Sequence, residues 1–163
     1  MRMEIVRLEE KYFEALRRVL DEVAREKRYL AFTQAPSPEH AYKFYRNILE
    51  NDLIQYLALL DGEVVGWCDI LPGQGEARAH VGFLGIGIVP SARHRGIGTA
   101  LMRAAIVKAW EKGLLRIELS VRTDNVNAKA LYERLGFKVE GVNSRAFRID
   151  GQFYDTYVMA LLH

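Results

Sequence analysis

The chain has 163 residues, half of them apolar, with 23 Lys and Arg against 21 Asp and Glu and a formal net charge of +2. That is one domain's length with material for a sizeable core, and no block of like charge marks a nucleic-acid partner. One cysteine (Cys68) and four histidines without metal-ligand spacing exclude a disulfide framework and a metal cluster, and no apolar run is long enough to span a membrane or lead an export signal, so a cytoplasmic protein without metal or membrane partner is expected.

In chain order, residues 3–8 alternate as a short strand. Residues 9–27 place Phe13, Leu16, Val19, Leu20 and Val23 at helical spacing. The aromatic patch Tyr29-Leu30-Ala31-Phe32 follows, and Pro36 and Pro38 break the chain. Ser37 as N-cap and Pro38 in the first turn open a second helix to about residue 49, with His40 where a capping box prefers Glu or Gln. Residues 54–60 and 64–71 flank Asp61-Gly62, a hairpin signal. After a polar loop at 72–79 come a strand at 81–89 and a helix at 99–112 with Gly113 at its end. A mostly apolar strand at 114–121, a short helix at 125–135 stopped by Gly136, and strands at 137–149 and 153–161 joined by Asp150-Gly151 complete the chain. No repeat or linker appears, so residues 1–163 are expected to form one domain. The order β-α-α-β-β-β-α-β-α-β-β predicts an α+β fold, in which antiparallel hairpins surround a strand–helix–strand unit with a right-handed crossover.

The stretch Arg93-His94-Arg95-Gly96-Ile97-Gly98-Thr99 lies between a strand and a helix. A helix N-terminus presents unpaired N–H groups and the positive end of the dipole. Gly96 and Gly98 keep side chains out of a ligand's way, and Arg93 and Arg95 add charge, so a diphosphate or similar anion is expected here. The spacing is neither that of a P-loop nor, with Leu101 in place of a third glycine, that of the dinucleotide fingerprint.

Arg93-x-x-Gly96-x-Gly98 resembles the pyrophosphate loop of the GNAT superfamily of acyl-CoA-dependent N-acetyltransferases. Downstream, Asn125-x-x-Ala128-x-x-Leu131-Tyr132-x-x-x-Gly136-Phe137 is similar to that superfamily's second signature. Two independent motifs in the right order are far more specific than either alone. The resemblance covers the chain from about Ile54 to its end.

The resemblance implies a central, mostly antiparallel twisted sheet of about seven strands, flanked by about four helices, with one strand pair splayed at the cofactor cleft. It implies acetyl-CoA as co-substrate. The pantetheine arm would lie along Ile86, Gly87 and Ile88, where Gly85 and Gly87 suit a bulge or close backbone approach. The pyrophosphate would sit on the amides of His94, Arg95, Gly96, Ile97, Gly98 and Thr99. Tyr132 would serve as acid at the departing sulfur, and Asn125 would bond the pantetheine arm or a water. By pattern alone, Tyr132 also reads as a packed aromatic and Asn125 as a helix cap.

Two positions depart from the superfamily's pattern. Relatives often carry a base Glu where Ser120 stands here, or on the preceding strand where Phe83 stands. Glu118, two residues before Ser120 and so on the same strand face, is the remaining candidate base, reaching the site directly or through water. Tyr29, Phe32 and Phe83 are the expected acceptor wall, with Arg145, Phe147 and Tyr154 of the second hairpin. That hairpin also offers an edge for stability or for a homodimer contact. The expected activity is acetyl transfer to a small primary amine, led by amino acids, with protein N-terminal and antibiotic-like amines behind them. The rival reading is a non-catalytic acyl-CoA-binding regulatory domain.

Overall fold

A computed structural model describes residues 1–163. The elements are β1 (Met3–Arg7), α1 (Phe13–Arg25), α2 (Pro38–Glu50), β2 (Ile54–Leu60), β3 (Glu63–Pro72), β4 (Val81–Ile88), α3 (Ile97–Glu111), β5 (Arg116–Arg122), α4 (Val126–Arg134), β6 (Lys138–Ile149) and β7 (Gln152–Leu162). The expected order is observed. All seven strands join one sheet in the order β1-β2-β3-β4-β5-β7-β6, and every neighbouring pair is antiparallel except β4 with β5. No helix is long and apolar enough to cross a membrane.

Local chemistry accounts for the element ends. Ser37 Oγ accepts from the His40 N–H at 3.3 Å and caps α2 behind Pro38. The hairpins close through Asp61-Gly62 and Asp150-Gly151, all four residues at positive φ, as tight turns require. The first helix is shorter than the expected 9–27, because Glu10–Tyr12 form a 3-10 turn and α1 runs only over Phe13–Arg25. Two further boundaries move by two residues. The chain reverses at Gly96, so α3 begins at Ile97 rather than residue 99. The Leu114 N–H donates to the Ala109 carbonyl, so residues 114–115 belong to the helix exit and β5 starts at Arg116.

Strand alternation sorts the side chains onto two faces. Gln55, Trp67, Asp69, Phe83, Gly85, Gly87, Glu118, Ser120 and Arg122 share one face by register. Leu16 and Leu20 of α1 and Ala41 and Tyr45 of α2 meet that face at Gln55, Trp67 and Asp69. The start of α3 lies on the other face, where Gly98 packs against Ile88 and Leu131. Leu16, Leu57, Leu101, Met102 and Met159 are fully buried, and burying one such side chain stabilises the fold by roughly 1.5–3 kcal/mol.

Candidate functional site

The sheet is incomplete at its centre. β4 and β5 pair only where Val81, Gly82 and Phe83 meet Arg116, Ile117 and Glu118. Beyond these three pairs the strands part, although β4 runs on to Ile88 and β5 to Arg122. This leaves both facing backbone edges without a strand partner. The starts of α3 and α4 border the open end, and a cavity of about 460 Å³ fills it. Ile86, Gly87 and Ile88 line one side, Ser120, Val121 and Arg122 the other, and Asn125, Leu131 and Tyr132 reach in from α4 and its cap.

The loop into α3 presents a row of free backbone donors. None of the backbone N–H groups from His94 to Thr99 has a hydrogen-bond partner within the chain. His94 at φ +62° and Gly96 at φ +79° turn the backbone through the left-handed region, which aims successive amides at a common point as an anion nest does. Gly96, Ile97, Gly98 and Thr99 all line the cavity. Nothing lies within 4 Å of where a Cβ on Gly96 would stand, so a side chain there would enter open cavity.

The two arginines of this loop differ in their surroundings. The Arg93 guanidinium donates to both Glu26 carboxylate oxygens, at 2.9 and 2.5 Å, and to the Ile88 carbonyl at 2.9 Å. It also lies 4.6 Å from the centre of the Tyr29 ring. Arg93 lines the cavity, and through Glu26 and the Ile88 carbonyl it also ties the end of α1 to the end of β4. Arg95 is exposed and does not line the cavity, whereas His94 does. For an anion the cavity offers the row of amides and the helix start, and Arg28, Arg93 and Arg134 also line it.

Tyr132 is buried between the cavity and the core, with its ring 6.1 Å from that of Phe137. Burial raises its phenol above the ordinary tyrosine range, with Cys68 a minor contributor. The hydroxyl therefore keeps its proton at neutral pH and stays a donor. Asn125 caps a helix and borders the cavity. Its Oδ1 accepts from the Ala128 N–H at 3.3 Å, capping α4, and the residue also lines the cavity. Arg122, itself buried, is held by Asp124 at 3.0 and 2.6 Å and by the Lys27 carbonyl at 3.0 Å, with Tyr154 stacked on it at 3.6 Å. It fixes the α1 exit against the second hairpin.

A second cavity, of about 260 Å³, opens between α1, α2 and the sheet. Phe32 lines it, with Leu16, Leu20, Phe44, Tyr45 and Trp67, and its polar groups are Gln55 and Asp69. Tyr29 lines the first cavity instead. Phe83 lines neither, since its ring packs against Gly73 and under Arg78 at 5.1 Å. Arg145, Phe147 and Tyr154 also lie outside both. Glu118 shares its face with Ser120 as expected, but its carboxylate accepts from Arg116 at 2.9 Å, and Arg116 also grips Glu140 at 2.6 and 3.0 Å. The position relative to Ser120 holds, while the carboxylate is turned away from the cleft into an ion-pair cluster.

Asp69 and Gln55 escaped the sequence reading. The signal was there in outline, a lone polar residue in each of two apolar strands. Their meeting across β2 and β3, with Gln55 Nε2 donating to Asp69 Oδ2 at 3.3 Å, needs the register of a folded sheet.

The sequence profile of the Acetyltransferase (GNAT) family matches residues 13–137. The L-amino acid N-acetyltransferase AaaT of Escherichia coli (strain K12) is 33% identical over 150 residues, covering 91% of this chain and 90% of that protein. A GNAT-family acetyltransferase from Streptococcus pneumoniae superposes with a TM-score of 0.92 at 29% identity, covering 99% and 100% of the two chains. The fold is shared with yncA of Salmonella typhimurium, whose structure contains its cofactor acetyl-CoA (TM-score 0.93, 15% identity, 99% and 94% coverage).

Proposed function

The chain belongs to the Acetyltransferase (GNAT) family, and from that premise we propose that it transfers an acetyl group from acetyl-CoA to the primary amine of an amino acid or a related small amine. The observation that carries this reading is the row of unpartnered amides from His94 to Thr99, opening into a gap between strands that Tyr132 lines.

In this reading acetyl-CoA supplies an activated thioester, and the protein does the rest. The amides of residues 94–99 and the α3 dipole hold the diphosphate. The free edges of β4 and β5 pair with the amides of the pantetheine arm, which fixes the thioester in the gap. Attack by a neutral amine forms the new C–N bond and breaks the C–S bond. Tyr132 donates a hydrogen bond to the departing sulfur and delivers its proton as the thiol leaves, and the proton the nitrogen loses on forming the amide restores the hydroxyl. The match to an L-amino acid N-acetyltransferase across most of both chains supports amino acids as acceptors.

The test is release of free thiol from acetyl-CoA against a panel of amino acids and simple primary amines. Thiol release with at least one amine, accompanied by the N-acetylated product, is expected. A protein that binds CoA tightly and releases thiol with none of them is a binding module, and this reading then fails.

A further inference from the structure

On the face of the sheet that carries α1 and α2, β4 presents Gly85 and Gly87 where side chains would stand. Its β3 partners lean into the space so vacated. Asp69 Oδ1 lies 3.2 Å from where a Cβ on Gly85 would be, and the Trp67 ring 2.2 Å from where one on Gly87 would be. The Asp69 carboxyl therefore stands over β4, whose far edge is the open gap. Adjacent strands lie about 4.8 Å apart, so one strand's width separates this carboxyl from the place where the thioester must lie. Behind it the second cavity runs out between α1 and α2. That cavity is walled by apolar and aromatic side chains, with no cation among them. Beside Asp69, Gln55 is 97% buried, and its Oε1 has no hydrogen-bond partner. A buried acceptor without a donor costs free energy unless a ligand supplies one.

We propose that Asp69 is the proton acceptor for the attacking amine, and that the cavity behind it seats that amine's apolar or aromatic substituent. The assignment rests on the acetyltransferase reading above and deepens it. An ammonium entering the cavity donates one proton to Asp69 and a hydrogen bond to Gln55 Oε1. The freed lone pair attacks the thioester carbon and the C–S bond breaks. Tyr132 gives its proton to the departing sulfur, the nitrogen's second proton restores the Tyr132 hydroxyl, and Asp69 returns its proton to solvent. The missing cation argues that a carboxylate on the acceptor stays outside the cavity while its apolar side chain goes in.

Burial raises the Asp69 carboxyl to about 7, with Gln55 and the Gly85 amide offsetting part of the rise. A base whose pKa lies near the working pH is the effective kind. The titratable groups set against it are Tyr45 from α2 and Cys68 from β3, both kept neutral by burial. Arg17 of α1 acts on Tyr45 and donates to the Pro36 carbonyl. Among the strands beside it, β4 brings no titratable group to this face and β2 brings the Gln55 amide.

The test compares wild type with Asp69→Asn from about pH 5.5 to 9, using phenethylamine, L-leucine and L-phenylalanine against glycine and L-aspartate. Asp69→Asn should lower kcat by about 10²- to 10⁴-fold and abolish the acid limb near pH 7, with CoA affinity unchanged. The apolar amines should exceed glycine and L-aspartate by at least about tenfold in kcat/KM. Asp69→Asn with wild-type kcat and an intact acid limb overturns the base assignment, and preference for glycine or L-aspartate overturns the pocket. A wild type that binds CoA but acetylates nothing defeats the functional reading and this one together, so the two failures are distinct. Turnover is not the sole readout. In CoA-loaded wild type, carboxyl ¹³C NMR should show the Asp69 titration displaced to lower pH by phenethylamine, and an undisplaced titration counts against the site. Asp69→Asn should also fold well. The carboxyl's folded value of about 7 exceeds its ordinary 3.8, so its contribution to stability is full below about pH 4 and lost as pH rises through about 7. The amide has no such loss, and the variant's Tm should equal or exceed wild type above pH 7.

Discussion

The two cavities are made of different material. The cleft between β4 and β5 draws a row of backbone donors from one short stretch, His94 to Thr99, and the free edges of two strands. The cavity behind Asp69 takes its walls from side chains on α1, α2, β2, β3 and the loop between the helices. Backbone donors survive most side-chain changes, so the first cavity can keep one ligand while surrounding residues vary. The second changes character with almost any substitution in its wall. Such a division suits a protein with a fixed co-substrate and an adjustable acceptor, and it sets what each mutation ought to move.

The sharpest separation should come from Tyr132, which serves the chemistry rather than either pocket. Tyr132→Phe removes only the hydroxyl, so the packing against Phe137 survives. With the donor gone, kcat should fall by about 10²- to 10⁴-fold, or roughly 3–5 kcal/mol of barrier. CoA affinity and acceptor KM should change little. Wild-type kcat under chemistry-limited conditions would make Tyr132 a packing residue and leave the departing thiolate without a donor.

Gly96 probes the backbone-built cavity next. At φ +79° a β-branched residue is strained, and its side chain would stand among the amides. Gly96→Val should weaken CoA binding by about ten- to a hundredfold, a loss of about 1.4–3 kcal/mol, read by calorimetry on a protein of unchanged fold. Full affinity would show that the diphosphate sits elsewhere, and the contrast between the cavities would then lose its first half.

Phe32 probes the cavity of side chains. It is 46% exposed and lines the cavity mouth. Phe32→Ala should raise the acceptor KM by about three- to tenfold for an apolar amine, leave CoA affinity alone and cost little stability. Equal acceptor kinetics would remove Phe32 from the site and return it to the surface.

These cavities also differed in how far the sequence disclosed them. Gly96, Gly98, Asn125 and Tyr132 sit at fixed spacings within two short stretches, α3 and α4 with their caps, and local spacing is what a sequence displays. The element order was legible for the same reason, since Asp61-Gly62, Ser37-Pro38 and Gly113 are local signals. Side-chain partnerships across the chain were not. Nothing local shows that Arg93, which lines the cavity, is also held by Glu26, 67 residues away. Asp69 and Gln55 are unremarkable as letters. They become a site because register places them side by side, and because glycines on β4 leave room above it. Phe83 had the right strand and face, yet Arg78 covers it.

Glu118 is the finest test of the comparison, because two carboxylates on one sheet face compete for one role. The sequence favoured Glu118, which lies near the start of the gap. In the fold, Arg116 lies between Glu118 and Glu140 and donates to both, so the charge of Glu118 is matched by a partly exposed cation. That carboxylate is engaged by the guanidinium and does not line the cleft. Asp69 has no cation beside it and opens onto a cavity that an amine can enter. Glu118→Gln keeps the shape and an acceptor for Arg116. It should alter kcat by less than about twofold and leave the acid limb of the pH–rate profile in place. The measurement is the full profile of the variant beside that of Asp69→Asn. Should Glu118→Gln flatten the acid limb while Asp69→Asn leaves it intact, the roles are reversed. Proton removal would then belong to the β4–β5 gap itself, and the cavity behind Asp69 would only hold the acceptor.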